Sequence, residues 1–275
     1  MSVRVLKSPA KKRNDDVIQL DRATGEDNFA WLRRAIKESL RGDHKNQSLL
    51  LLVGGNDPLS FRLRIAQSHV RHDLSPSAWS HVAFVPELTG TLSGSETLEI
   101  SLMPQDGFGR YGYPIPDNGM QAGRLDIYQS EKLFPNIALL SLPVPSSAIK
   151  ASLDGMKFQR GALDCPQLIL KWLAYCWGVG VPASPLADGF GIPSAAVLEA
   201  AFAANDFDLT PGLESRSSCP EAIWQAANWW QDYYARRRDG QSIRGAFSAK
   251  HELVPDDLYG NSPDSGDPGK KTRAK

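Results

Sequence analysis

Near residue 143 the chain changes rhythm. Before that point apolar residues come in short runs or alternate with polar ones, as strands require; after it they recur every three to four residues, as in helices. Leu49–Val53 is an unbroken apolar strand segment. Trp79–Val85 is rich in aromatic and β-branched residues, and in Thr97–Met103 the residues Leu98, Ile100 and Leu102 alternate with Thr97, Glu99 and Ser101. Arg124–Tyr128 and Asn136–Leu142 read as further strands. One helix interrupts this half. Asp57-Pro58 supplies a capping carboxylate and a first-turn proline, with Phe61, Leu63, Ile65, Ala66 and Val70 as the apolar side. The second half predicts helices over Ser147–Gly155, Cys165–Trp177, Pro193–Ala204 and from Cys219-Pro220 to Arg236–Arg238. Strands grouped first and helices after them predict an α+β fold, an antiparallel sheet packed against helices, with extra N- and C-terminal helices.

The ends have a different character. Residues 1–26 hold few large apolar groups and predict a flexible lead-in, and residues 241–275 a mostly disordered tail. Residues 27–48 form an amphipathic helix and linker, with Phe29, Leu32, Ile36 and Leu40 on one stripe and Gly42 as its stop. That stripe needs an apolar partner, within the chain or on another protein. Residues 49–240 make the main domain. Thirty-one basic side chains balance 31 acidic ones, which argues against nucleic-acid binding. No apolar run approaches the roughly 20 residues of a membrane span, and no signal peptide is legible. Three cysteines are too few for a disulfide framework and point to reduced thiols in the cytoplasm. No cofactor motif is present; Gly54-Gly55 lacks the spacing and lysine of a phosphate loop.

A thiol at a helix start is a candidate nucleophile, because free amides and the helix dipole favour its thiolate. Asp164-Cys165-Pro166 has that form. Proline as first helical residue would leave Cys165 at the cap, with amide donors near it that could also hold an oxyanion. Cys219 likewise precedes a proline, but Glu221 in its first turn opposes ionisation; Cys176 lies on an apolar helix face. A thiolate needs a base. Of His44, His69, His72, His81 and His251, His81 is distinguished by its place in an otherwise apolar strand, on one face with Ala83 and Val85. Glu99, on the next strand, is within cross-strand reach and could orient its ring.

The order of these pieces resembles the circularly permuted NlpC-type branch of the papain-like thiol peptidases. The matching segments are LLLLVGGNDPLSFRLRIAQS, WSHVAFV, TLEISL, DCPQLILKWL and GFGIPSAAVLEAAF, within about Leu49 to Leu209. The resemblance implies a papain-like fold. It implies Cys165 as nucleophile, His81 as base and Glu99 as the orienting residue, with Asp164, Ser80 and Trp79 near the oxyanion or substrate. It also implies cleavage or transfer of a peptide or other amide through an acyl-thioenzyme. Two departures stand out: Ala162-Leu163-Asp164 replaces the serine or tyrosine-aspartate pair common ahead of the cysteine, and the loop 104–123 is longer than usual.

Two other readings compete. His69 and His72, three apart on the expected helix, could hold zinc with His81 or Glu99. Trp224, Trp229, Trp230, Tyr233 and Tyr234 crowd one helix and could dock a partner, making the chain a non-catalytic interaction module.

Overall fold

A computed structural model describes residues 17–40, 47–102, 117–161, 163–178, 183–236 and 243–249, with the backbone alone over 229–236. Residues 1–16, most of the 104–123 loop and the tail from 250 lie outside the described residues. So do His44, His251, Gly42 and the side chains of Trp229, Trp230, Tyr233 and Tyr234. Among the described residues the architecture is mixed α/β, an open seven-stranded, mostly antiparallel sheet with six α-helices.

The strands are β1 (Val17–Gln19), β2 (Ser48–Gly54), β3 (His81–Val85), β4 (Glu96–Glu99), β5 (Gln121–Arg124), β6 (Asn136–Leu142) and β7 (Arg244–Ser248). They lie in the order β1-β7-β6-β2-β3-β4-β5, and only the β1–β7 pair is parallel. The expected unbroken strand is the centre of the sheet. β2 is buried along its whole length and pairs Val53 with His81 of β3 and with Ile137 of β6. The alternation in TLEISL survives only over β4, and both of its faces are covered; Thr97 and Glu99 are buried with Leu98. The segment expected as a strand at Arg124–Tyr128 becomes a 3-10 turn over Leu125–Tyr128, preceded by β5.

The sheet separates two cores. On one face the helix α1 (Asn28–Ser39), capped by Asp27, buries Phe29, Trp31 and Leu32 against Leu49, Leu51, Val53, Ala83 and Val85. The apolar stripe expected to seek a partner thus finds it in the chain's own sheet. On the other face Leu50, Leu52, Val82, Phe84 and Leu98 meet the remaining helices: α2 (Pro58–Ala66), α3 (Ser146–Met156), α4 (Cys165–Cys176), α5 (Pro193–Ala203) and α6 (Pro220–Arg236). Strand alternation alone decides which side chain enters which core.

Both termini of the main domain are more ordered than composition suggests. Residues 17–19 and 244–248, expected to belong to a flexible lead-in and a tail, pair with each other, and β7 lies between β1 and β6. Gly245 permits that approach, since a Cβ there would stand 2.2 Å from the Leu139 carbonyl oxygen. Trp31 adds a tie by donating its indole N–H to the Leu20 carbonyl at 2.7 Å. Finally, α2 ends at Ala66 rather than near Val70, and Ser68–Val70 is a separate 3-10 turn. His69 and His72 therefore do not share a helix face.

Candidate active site

β3 and β4 run antiparallel with Phe84 opposite Leu98, both facing the helix-rich core. His81 and Glu99 have the opposite parity and share the other face, as the cross-strand reading required. The His81 Nε2 lies 2.5 Å from Glu99 Oε2. The same carboxylate oxygen accepts the Tyr128 hydroxyl, and Oε1 accepts the Thr97 hydroxyl at 2.8 Å. Three donors therefore converge on a side chain that is only 2% exposed.

Burial by itself would push the Glu99 carboxyl up. The hydrogen bond and charge of His81, with the Tyr128 and Thr97 hydroxyls, outweigh it and hold the group below its ordinary value. Tyr128 goes the other way: burial, then the neighbouring Glu99 charge, raise its phenol well above 10, so it stays a donor. An ionised carboxylate only accepts hydrogen bonds, so His81 must present Nε2–H to it. That fixes the neutral imidazole's lone pair on Nδ1, which has no hydrogen-bond partner among the described residues. The ring also packs against Tyr128, with centroids 6.2 Å apart.

Nδ1 belongs to a side chain that is 15% exposed and lines a cleft of about 190 Å³. α2 and the residues following β4 form much of its wall, together with Tyr128 and Phe134. Ser80 lines it too, but its hydroxyl already accepts from the Gly55 amide at 3.1 Å and lies 3.3 Å from the Val53 carbonyl. Trp79 does not reach the cleft; it is buried and packs on Trp224 at 5.1 Å between centroids.

No hydrogen bond or charge contact joins Cys165 to His81 among the described residues. Cys165 packs in the core on the helix-rich face, whereas His81 has the strand parity of Ala83 and Val85, which face α1. The cap argument also shifts by one residue. Asp164, not Cys165, is the cap, and its carboxylate accepts the Gln167 amide at 3.3 Å. The Cys165 amide donates to Asn118 Oδ1 at 3.2 Å, and Pro166 has no N–H to offer. The donors expected to hold an oxyanion are thus already engaged, and Asp164 sits among them. Burial, with the Asp164 charge behind it, pushes the Cys165 thiol up to about 12 rather than down. Burial likewise takes Cys219 to about 12 and Cys176 to about 11.

Three further residues shape the site and the helix beside it. Thr97 was legible in the sequence, standing two before Glu99 on the same strand face. Tyr128 was hidden by its assignment to a strand. Asn118, with φ of 53°, clamps α4 by donating to the Leu163 carbonyl at 2.9 Å while accepting from Cys165; nothing local in the sequence marks it. For the metal reading, no group of three or more His, Cys, Asp or Glu side chains is placed to hold an ion among the described residues. No helix among them is long and apolar enough to cross a membrane.

No protein-family model, no curated protein and no solved structure matches this chain.

Proposed function

We propose that the chain is a hydrolase or acyltransferase of amide-type compounds in which His81, held by Glu99, is the general base. One observation carries this: a buried carboxylate with three donors fixes the His81 ring through Nε2 and leaves Nδ1 unengaged, in a side chain that lines a cleft. A base so oriented needs no reorganisation at the moment of reaction. Nδ1 takes a proton from water as the water oxygen bonds to the carbonyl carbon and the π pair moves to the carbonyl oxygen. When that pair returns, the carbon–nitrogen bond breaks and the amine leaves with the proton given back by the imidazolium. Acid and amine are the products; an acyl thioester passes through the same steps with ethanethiolate leaving in place of the amine and taking the same proton, so it reports the same base, and an alcohol or amine in place of water gives acyl transfer.

A papain-like arrangement of the NlpC-type is part of this proposal, supported by the order of the histidine strand, the glutamate strand and the later cysteine helix. The thiol route is the second reading, and the place of Gly119, between Cys165 and the cleft residue Ile100, favours it. A Cβ on Gly119 would lie 3.9 Å from Cys165 Cβ and 3.7 Å from Ile100, which itself lines the cleft. Iodoacetamide and turnover separate the two. We expect all three cysteines to alkylate slowly at pH 7.5 in the folded protein, and Cys165→Ala to hydrolyse the S-ethyl thioester of acetic acid within about twofold of the parent rate, since that thiol is far from ionised there. Rapid alkylation of Cys165 with loss of turnover in Cys165→Ala would establish the thiol route instead.

A further inference from the structure

We propose that the cleft beside His81 is a specificity pocket for one uncharged apolar group of the acyl substrate, an aromatic ring or branched chain of about six to seven carbons. This rests on the base reading above and adds the substrate class. Leu63, Ile100, Leu102 and Ile192 line the cleft together with Ile127 and Phe134.

Several of the polar side chains that line the cleft are already engaged. Asp57 caps α2, its Oδ1 accepting the Leu59 and Ser60 amides at 3.0 Å each and its Oδ2 the Ser60 hydroxyl at 2.5 Å. The Ser80 hydroxyl is engaged with Gly55 and Val53, and Glu99 lies behind His81 with its own three donors. No lysine or arginine lines the cleft among the described residues. An entering carboxylate would lose its water and gain no counter-charge, whereas an apolar group would gain contact on most sides.

Size sets the rest. An apolar cavity of roughly 150 Å³ holds a benzene molecule, so about 190 Å³ accepts one benzyl-sized group and not a stretch of polymer. With His81 in the same wall, the carbonyl attached to such a group comes beside Nδ1.

The test compares the S-ethyl thioesters of acetic, phenylacetic and succinic acid with the full-length protein, following thiol release. We expect kcat/KM for the phenylacetyl ester to exceed that for the acetyl ester at least tenfold, with the succinyl ester below both. Ile127→Trp and Leu59→Trp, each filling the cleft from a half-buried wall position, should bring the phenylacetyl-to-acetyl ratio towards one. A ratio near one in the parent protein, a ratio unchanged in both tryptophan variants, or a preference for the succinyl ester would overturn the pocket while His81-dependent turnover still upheld the base. Turnover no faster than that of His81→Ala for every ester would remove the base reading, and the pocket with it.

Discussion

His81→Gln is expected to lower kcat/KM for acyl-thioester hydrolysis by about 10²–10⁴, the range a positioned general base contributes. Glutamine keeps a donor for the buried Glu99, so the fold survives while the basic lone pair is gone. The loss should fall on kcat more than on KM, because proton removal happens only on the way to the transition state. Glu99→Gln keeps the volume and the acceptor for Tyr128, yet removes the charge that stabilises the imidazolium. We expect a fall of at least about tenfold from that variant. Glu99→Ala is a poorer test, since it strips Thr97, Tyr128 and His81 of their common acceptor and should cost about 1–3 kcal/mol of stability for each buried donor left unpaired. Equal turnover in the parent and in His81→Gln would dismiss His81 as the base.

The second large effect concerns stability and lies away from the cleft. Glu199 of α5 is 2% exposed, and its Oε2 has no hydrogen-bond partner among the described residues. Burial first, then the neighbouring Asp208 carboxylate, push it up to about 8 from an ordinary 4.5. Below pH 4.5 the group is protonated in both the folded and the unfolded chain. Between 4.5 and about 8 the unfolded chain releases the proton while the folded one retains it, so the folded state loses stability as pH rises. Above about 8 both forms are ionised and the loss is complete. Its full size is on the order of 5 kcal/mol. Glu199→Gln should remove this slope and unfold at a higher urea concentration than the parent at pH 8.5, with a much smaller difference at pH 4.5. Parallel pH profiles for the two proteins would show that Glu199 does not titrate in this way.

What was legible in the sequence follows from which structural facts are local. β2 and β6 are long apolar runs with no competing rhythm, and α4 and α5 have helical spacing with a proline in the first turn, so all four emerge close to their observed limits. β1 and β7 are three and five residues long; they pair with each other across more than 200 residues of chain, and β7 with β6 across more than 100. Composition marked both as tails, because their stability comes from pairing and not from their own pattern. The His81–Glu99 pair was legible because strand parity and antiparallel adjacency are nearly enough to specify it. The setting of Cys165 was not legible, for a different reason. Periodicity identified its helix and its apolar stripe, but nothing in either says which face of the sheet the helix covers. That depends on the strand order, in which β6 returns beside β2 and the chain then crosses to the face opposite α1. A helix start also counts for less than its label suggests when the local donors are taken, here by Asn118 and Asp164.

The central claim is that Glu99 accepts the Nε2–H of His81 and so leaves the ring's lone pair on Nδ1. Long-range ¹H–¹⁵N correlation of the imidazole reads this directly in solution at a pH where the ring is neutral. We expect His81 to show a protonated Nε2 and a bare Nδ1, and to lose that preference in Glu99→Gln. A ring carrying its proton on Nδ1 in the parent protein, with Nε2 bare, would contradict the account.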